Sequence, residues 1–152
     1  MGGVYSSYAL VVSCDDAIIN VKSLGSIQII KGYYIYVGSS NIRKPYLRVL
    51  RHLMRSVKKI KWHVDTLTTV CNPVAGLVCG GVSEDLLYRA FSSWGHATPL
   101  AKGFGCSDYR DHYTHLFSIR GVAGEGVYEV LRLIARKMLD LCSYVEFVLS
   151  DV

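Results

Sequence analysis

Short apolar and β-branched runs alternate with turn residues in the first quarter of the chain. The runs cover residues 8–12, 17–21, 26–30 and 33–37. Each run has the length and composition of a strand, and Gly25, Gly32 and Gly38 mark turns beside them. Strands this close in sequence most simply pair with their neighbours, so the pattern predicts an antiparallel meander.

The hydrophobic period then changes to that of a helix. Leu47, Leu50, Met54 and Val57 fall on one side at this spacing, and arginines fall on the other. Pro45 stands near the first turn, where a missing amide costs little. The pattern predicts an amphipathic helix over residues 45–59.

The second half of the chain predicts a mixture of helices and strands. Helices are predicted over residues 62–70, from the N-cap Ser83 to residue 94, and over 127–141. Strands are predicted over residues 73–79, 116–119 and 144–149, with a loop over 96–110. The fold class expected is α/β (α+β). One domain over residues 1–152 would hold a small mixed or antiparallel sheet flanked by helices, with an amphipathic helix near its C-terminus.

Composition indicates an ordinary globular domain. The chain has 152 residues, of which 51% are hydrophobic and 19% charged, and this excludes a disordered chain. It has no apolar run of about 18 residues, so we expect no membrane-spanning helix and no membrane partner. The five cysteines are widely spread without a CxxC pair, which argues against a disulfide framework and a zinc ribbon. A reducing, cytoplasmic location is therefore expected.

Positive charge is concentrated in one segment. Residues 43–61 contain eight basic residues and no acidic one, while the rest of the chain has nine basic and twelve acidic residues. The eight are Arg43, Lys44, Arg48, Arg51, Arg55, Lys58, Lys59 and Lys61. A local basic face attracts nucleic acid by releasing counterions from the phosphates. The alternatives are a solvated helix face, carboxylates of a neighbouring element and an acidic protein partner.

A motif precedes this basic segment. Tyr36-Val37-Gly38 ends a predicted strand, and Arg48 follows ten residues after Gly38, with His52 four residues further on. Further blocks are Lys-Trp-His-Val-Asp at 61–65, Gly-Phe-Gly-Cys-Ser-Asp at 103–108 and His-Leu-Phe at 115–117. Over residues 6–119 the chain resembles a small prokaryotic domain family of unknown function in the GIY-YIG-like nuclease group, which also occurs fused to an endonuclease III-type repair enzyme.

The resemblance implies phosphodiester hydrolysis with one divalent ion, Mg²⁺ or Mn²⁺. By position, Tyr8 and Tyr36 match the two tyrosines of the group, Arg48 its helix arginine and Glu84 its metal ligand. The glutamate would hold the ion on the phosphate, a tyrosine would position or deprotonate the water, and the arginine would stabilise the developing charge. Because Mg²⁺ keeps most of its waters, one carboxylate can suffice. The structural alternatives are sheet packing for the tyrosines, a surface contact for the arginine and a helix first-turn acid for the glutamate.

The first motif departs from the pattern of the group. Ser6-Ser7-Tyr8 stands in place of Gly-Ile-Tyr, whereas Gly3-Val4-Tyr5 matches the letters better. We assign Tyr8, which lies on the strand, and keep Tyr5 as the alternative. This departure bears on whether the chain cleaves a substrate.

Histidines and acids in the remaining blocks are further candidates. His52 lies one turn after Arg48 and could move a proton, contact a phosphate or have no role. His63 and Asp65 follow the basic helix, and a His–Asp hydrogen bond that fixes a loop is the structural alternative. The third and fourth blocks add Ser107, Asp108 and His115.

Two further alternatives concern metal and assembly. One cluster could bind zinc, and its members are Cys106, Asp108, His112 and His115. The alternative is that this segment is a structural loop that covers the active face. Residues 122–152 lie beyond the resemblance, and they would complete the core or form a homodimer contact through the helix.

Three functions are compatible with these patterns. The first is a metal-dependent endonuclease that acts on DNA or RNA. The second is a non-catalytic nucleic-acid-binding module on the same fold, and the third is an assembly domain whose basic face meets an acidic protein.

Overall fold

A computed structural model describes residues 5–54, 63–106, 108–120 and 126–149. Its strands are β1 (Ser6–Cys14), β2 (Ala17–Val21), β3 (Gly25–Ile29), β4 (Gly32–Ser39), β5 (Asn72–Gly80), β6 (Ala97–Pro99), β7 (Leu116–Ile119) and β8 (Tyr144–Leu149). Its helices are α1 (Tyr46–Leu53), α2 (His63–Val70), α3 (Glu84–Ser92) and α4 (Val127–Leu139).

Six of the described strands form one sheet in the order β6-β7-β4-β1-β5-β8. Every neighbouring pair is antiparallel. β1 lies between β4 and β5 and is buried along almost its whole length. This antiparallel sheet with helices packed on it confirms the predicted α+β class.

The predicted meander is wrong, because β1 pairs directly with β4. β2 and β3 pair with each other as a separate hairpin inserted between those two strands. Ile19 and Val21 are buried in β2 while Ile18 is exposed, so the hairpin has one apolar face. β1 and β4 instead carry consecutive buried residues and fit the middle of a sheet that is covered on both faces.

Helices cover both faces of the sheet and create two hydrophobic cores. On one face, α3 and α4 bury Phe91 and Ile134 against Val11 and Leu77 of the sheet. On the other face, α1, α2 and the β2–β3 hairpin cover Leu10 and its neighbours. Residues of β1 alternate between the two cores, as a strand between two layers requires.

Helix α1 departs from the predicted amphipathic helix in length and orientation. It ends at Leu53, and Met54 has non-helical dihedral angles, so the prediction of a continuous helix to residue 59 is wrong. Residues 55–59 lie outside the described residues. Val49 and His52 are buried, whereas Leu50 is 38% and Met54 is 52% exposed.

Polar partners beneath α1 explain this orientation. His52 and Arg51 reach buried groups of β1 and α2, so the polar side of the helix faces the protein. Val49 sits against Gly76 of β5, where a Cβ atom would overlap the valine side chain. The helix therefore lies close to the sheet, and the described part of its predicted apolar stripe, Leu47, Leu50 and Met54, is exposed.

Most local predictions in the second half are confirmed. Ser83 caps α3, since its hydroxyl accepts a hydrogen bond from the Leu86 amide at 3.3 Å. α2, β5, β7 and β8 lie within one residue of their predicted bounds. β6 was missed inside the predicted loop, because three residues paired with β7 leave no periodic signal.

Helix α4 turns its predicted apolar stripe toward the sheet. Val130, Ile134 and Met138 are buried there, while Tyr128 and Leu139 are exposed. A homodimer contact through this helix stays a prediction and would use its exposed side. None of the helices in the described ranges is long and apolar enough to cross a membrane.

The cysteines contradict the sequence expectation. Cys14 is bonded to Cys71 and Cys79 to Cys142, which leaves Cys106 as the free thiol. The partners are 57 and 63 residues apart, so the pairing depends on the tertiary fold and leaves no local signal. The expected cytoplasmic location relied on unpaired cysteines, so it loses that support and stays a prediction.

We expect an unfolded, unreduced sample to titrate one thiol per chain instead of five. Reduction should lower the free energy of unfolding. Each bond closes a loop of roughly 60 residues in the unfolded chain, and the loss of its conformational entropy stabilises the folded state by about 4 kcal/mol. Denaturant unfolding with and without reductant measures this effect. The variant with alanine at Cys14, Cys71, Cys79 and Cys142 is the control and should not respond to reductant. Five titratable thiols in the unaltered chain would contradict the disulfide assignment.

Candidate active site

The four residues matched to the catalytic positions of the group line one cleft. Tyr8 and Tyr36 come from the sheet, Arg48 from α1 and Glu84 from the start of α3. The cleft has a volume of about 160 Å³. Its other lining residues are Gly38, Ser39, Val64, Gly105 and Asp108. Tyr5, the alternative to Tyr8, is not among them and is 54% exposed.

Strand register brings the two tyrosines to the same side of the sheet. Tyr8 stands opposite Gly38 and Leu10 opposite Tyr36 across the β1–β4 ladder. The two phenol rings have centroids 6.4 Å apart. A Cβ atom at Gly38 would overlap the Tyr8 phenol, so the glycine of the Tyr-Val-Gly triplet leaves the space that this ring occupies.

A buried polar chain extends from Tyr8 to α2. The Tyr8 hydroxyl lies 2.8 Å from Nε2 of His52, and Nδ1 of His52 lies 3.8 Å from Oδ1 of Asp65, which is a charge contact beyond hydrogen-bond distance. Arg51 donates to both oxygens of this carboxylate, at 2.9 and 3.3 Å. The carboxylate favours a proton on Nδ1, which leaves Nε2 to accept the hydrogen bond from the phenol.

Burial keeps both cleft phenols protonated. Tyr8 and Tyr36 are only 3% and 6% exposed, and this burial raises the pKa of each well above the ordinary tyrosine value. Neighbouring acidic groups, Glu84 among them, raise the pKa of both further. At neutral pH the two groups are therefore hydrogen-bond donors and not phenolate bases.

Glu84 is held in the cleft by two side chains of the loop before β7. Tyr109 donates to its Oε1 at 3.0 Å, and Nδ1 of His115 lies 3.2 Å from its Oε2. The glutamate side chain is 14% exposed. Burial and Glu84 together raise the pKa of Tyr109 to about 12. Sequence analysis missed Tyr109, because a single tyrosine in a loop of mixed composition carries no periodic or spacing signal.

His115 continues into a second buried chain. Its Nε2 lies 2.8 Å from Nδ1 of His112, whose Nε2 lies 2.6 Å from Oδ1 of Asp85. Asp85, His112 and Asp111 form the one cluster of potential metal ligands within the described ranges, and Arg89 already binds both of its carboxylates. The four residues considered from the sequence as zinc ligands do not form such a cluster within those ranges.

His63 fixes the loop that closes one side of the cleft. Its Nδ1 accepts a hydrogen bond from the Gly105 amide at 2.8 Å, so the proton lies on Nε2, which is 3.0 Å from the Ser23 hydroxyl. Burial lowers the pKa of this histidine and favours the neutral ring that both contacts need. Gly105 has φ +72° and lies against Tyr36. His63 therefore positions a loop, whereas Asp65 pairs with Arg51.

The predicted nucleic-acid contacts divide into three groups. Arg43 and Lys44 are exposed just before α1. The guanidinium of Arg51 is turned toward Asp65, and Arg48 lies in the cleft, where it donates to the Ser39 carbonyl at 3.4 Å. The remaining candidates lie outside the described residues, and they are Arg55, Lys58, Lys59 and Lys61. Ser107, a candidate from the third block, also lies outside them.

Together these contacts define a small antiparallel α+β domain with a polar cleft built by two strands, two helices and a loop. The chain belongs to the family described as domain of unknown function DUF123, whose model matches residues 7–136. The match extends into α4, further than the residues 6–119 expected from the motifs. No curated protein and no solved structure shows significant similarity to the chain.

Gly38→Ala should displace the Tyr8 phenol and lower the free energy of unfolding by about 1–3 kcal/mol, because the added methyl group overlaps the ring. Gly95→Ala is the matched control, since nothing lies within 4 Å of a Cβ atom there. Denaturant unfolding of both variants measures the difference. Equal stability of the two variants would show that Tyr8 does not occupy this space.

The two raised phenol pKa values make the fold less stable at alkaline pH. Below the unfolded-state pKa near 10, both states keep these protons and no stability is lost. Above it, the unfolded chain releases protons that the folded chain retains, so the free energy of unfolding falls by about 1.4 kcal/mol per pH unit for each phenol. Tyr8→Phe with Tyr36→Phe should flatten this fall in denaturant unfolding between pH 9 and pH 11, roughly the window around that pKa. Tyr128→Phe, at a site 78% exposed, should leave the slope unchanged.

Proposed function

We propose that this protein is a metal-dependent endonuclease that hydrolyses nucleic-acid phosphodiester bonds in the cleft, as a member of the GIY-YIG-like group. One observation carries the proposal. Two phenols, a guanidinium and a carboxylate from distant parts of the sequence line the same small cleft. These are the groups that stabilise a phosphate, orient a water molecule and hold a cation.

Glu84 fits the role of ligand for Mg²⁺ or Mn²⁺. Each of its oxygens has one neighbour, the Tyr109 hydroxyl or His115, which leaves further acceptor capacity on both. Asp108 lines the same cleft and adds a second carboxylate. A bound ion would polarise the phosphate oxygens and lower the pKa of a coordinated water. Mg²⁺ retains several of its waters, so few protein ligands are sufficient.

The chain of Tyr8 and His52 suits the transfer of the water proton. As the water oxygen bonds to phosphorus, its proton passes to Tyr8 while the phenol gives its own proton to Nε2 of His52. The P–O bond to the leaving oxygen then breaks, and that oxygen takes a proton from solvent. A phenol with a raised pKa can serve in this way, because it never carries a full negative charge. Asp65, 3.8 Å from Nδ1, stabilises the resulting imidazolium.

Arg48 would neutralise charge on the phosphate. It is the arginine among the residues that line the cleft, and the exposed Arg43 and Lys44 lie just before its helix. A duplex or single strand lying along α1 would reach both the exposed basic residues and the cleft. DNA and RNA are both candidate substrates, and the cytoplasm is the proposed location.

The departure at Ser6-Ser7 does not remove any of these groups. The Ser6 hydroxyl bonds to Ser40, and the Ser7 hydroxyl donates to the Val82 carbonyl at 2.9 Å. Both serines therefore tie the end of β1 to neighbouring segments and lie outside the set that lines the cleft. The second candidate, a non-catalytic nucleic-acid-binding module, is favoured by the burial of both cleft phenols, which raises the pKa of each and disfavours a phenolate base.

We expect cleavage of labelled structured and single-stranded DNA or RNA with Mg²⁺ or Mn²⁺, and its loss on addition of chelator. Glu84→Gln and Arg48→Ala should each lower the cleavage rate by roughly 100-fold or more, since each removes a charge placed on the phosphate or its ion. Glu129→Gln is the matched control, because Glu129 is also an acid in the first turn of a helix but lies on α4.

Cleavage that survives both cleft variants would contradict the proposed site. Salt-sensitive binding without turnover in any metal would support the binding module instead. A chain that neither binds nor cleaves nucleic acid at low salt would exclude both functions.

A further inference from the structure

A line of four hydrogen-bonding side chains connects the cleft with the protein surface. It runs from Glu84 through His115 and His112 to Asp85, with the three contacts of 3.2, 2.8 and 2.6 Å described above. Both imidazole side chains are fully buried, whereas Asp85 is 38% exposed. Glu84 and Asp85 are consecutive residues of α3, so the two histidines of the loop bridge the two acids of one helical turn.

Both imidazoles of this line are held at both ring nitrogens. Nδ1 of His115 faces two acceptors, the Val37 carbonyl at 3.1 Å and Glu84, so it acts as a donor there. Its Nε2 contacts Nδ1 of His112, and Nε2 of His112 contacts the Asp85 carboxylate. Neither ring can therefore turn without losing a contact.

Two aromatic rings fix the plane of the His112 ring. It lies between the rings of Tyr88 and Tyr109, with centroids at 3.9 and 4.0 Å and interplanar angles of 15° and 5°. Rings stacked on both sides restrict the tilt of the imidazole. Tyr109 also donates to Glu84, so one residue contacts both ends of the arrangement.

We propose that Asp85, His112 and His115 are positioning residues that orient the Glu84 carboxylate for a divalent cation. The proposal rests on the proposed function of the cleft. His115 lies against one Glu84 oxygen, and His112 with Asp85 fixes the orientation of the His115 ring that faces Glu84. Groups that orient a metal ligand in this way change metal affinity about 10- to 100-fold when they are removed.

Asp85→Asn tests the proposal without disturbing the buried rings, because it keeps the side-chain volume and an acceptor oxygen and removes only the charge. Asp111→Asn is the matched control. Asp111 also binds Arg89, but its carboxylate is 4.0 Å from His112, beyond hydrogen-bond distance. Mn²⁺ binding is measured by calorimetry on the full chain without nucleic acid. We expect Asp85→Asn to weaken Mn²⁺ binding at least about tenfold and Asp111→Asn to change it less than about twofold.

A second measurement tests the line of contacts directly. Nitrogen chemical shifts of both imidazoles in metal-free protein should change in Asp85→Asn and stay the same in Asp111→Asn. His112→Phe keeps the ring stack and removes both nitrogens, so it should weaken Mn²⁺ binding at least as much as Asp85→Asn. Melting temperatures accompany each binding measurement, because a purely structural role would lower stability and leave metal affinity unchanged.

The outcomes separate this inference from the proposed function. Equal Mn²⁺ affinities of the unaltered chain and Asp85→Asn, or imidazole shifts that do not change in Asp85→Asn, would overturn the positioning role and leave the proposed function standing. An unaltered chain that binds no Mn²⁺ would overturn both.

Discussion

The antiparallel pairing of β1 with β4 is the contact on which the candidate site depends. It sets Tyr8 opposite Gly38, and the missing side chain of the glycine provides the space that the phenol fills. A second glycine has the same effect on the layer above the sheet, since Gly76 lets Val49 and therefore α1 come close. The site thus forms where two missing side chains allow aromatic and helical groups to approach the backbone.

Two buried polar chains then fix the side chains around the cleft. One leads from Tyr8 through His52 to Asp65 and ends at Arg51, which is 31% exposed. The other leads from Glu84 through two histidines to Asp85, which Arg89 also binds. In both, a group that faces the cleft is connected through imidazole to a carboxylate that pairs with an arginine. The fully buried Asp65 needs such a partner, because an uncompensated charge in the interior costs several kcal/mol.

Local signals predicted much of the fold. The Ser83 cap, the short strands of the second half and the apolar stripe of α4 depend on neighbours in sequence, and each was found where expected. The prediction of a meander was wrong because strand order depends on which strands can be buried on both faces. The orientation of α1 differs from that of a usual amphipathic helix for a related reason. Its polar residues find buried partners, and these outweigh the usual preference for burying the apolar side.

Tyr36 and Arg48 could be proposed as site residues because they fall in spaced motifs, whereas Glu84 was proposed from the resemblance alone. The contacts that Tyr109, His112 and Asp85 make could not be predicted, because they join α3 to a loop more than 20 residues away. The disulfides could not be predicted either, because each joins cysteines that are far apart in the sequence.

The two disulfides also distinguish helices that are covalently tied to the sheet from helices that are not. Cys14–Cys71 joins the end of α2 to β1, and Cys79–Cys142 joins the segment after α4 to β5, so one helix on each face is held by a disulfide. Helices α1 and α3, which carry Arg48 and Glu84, contain no cysteine. The two helices that line the cleft can therefore shift without straining a disulfide.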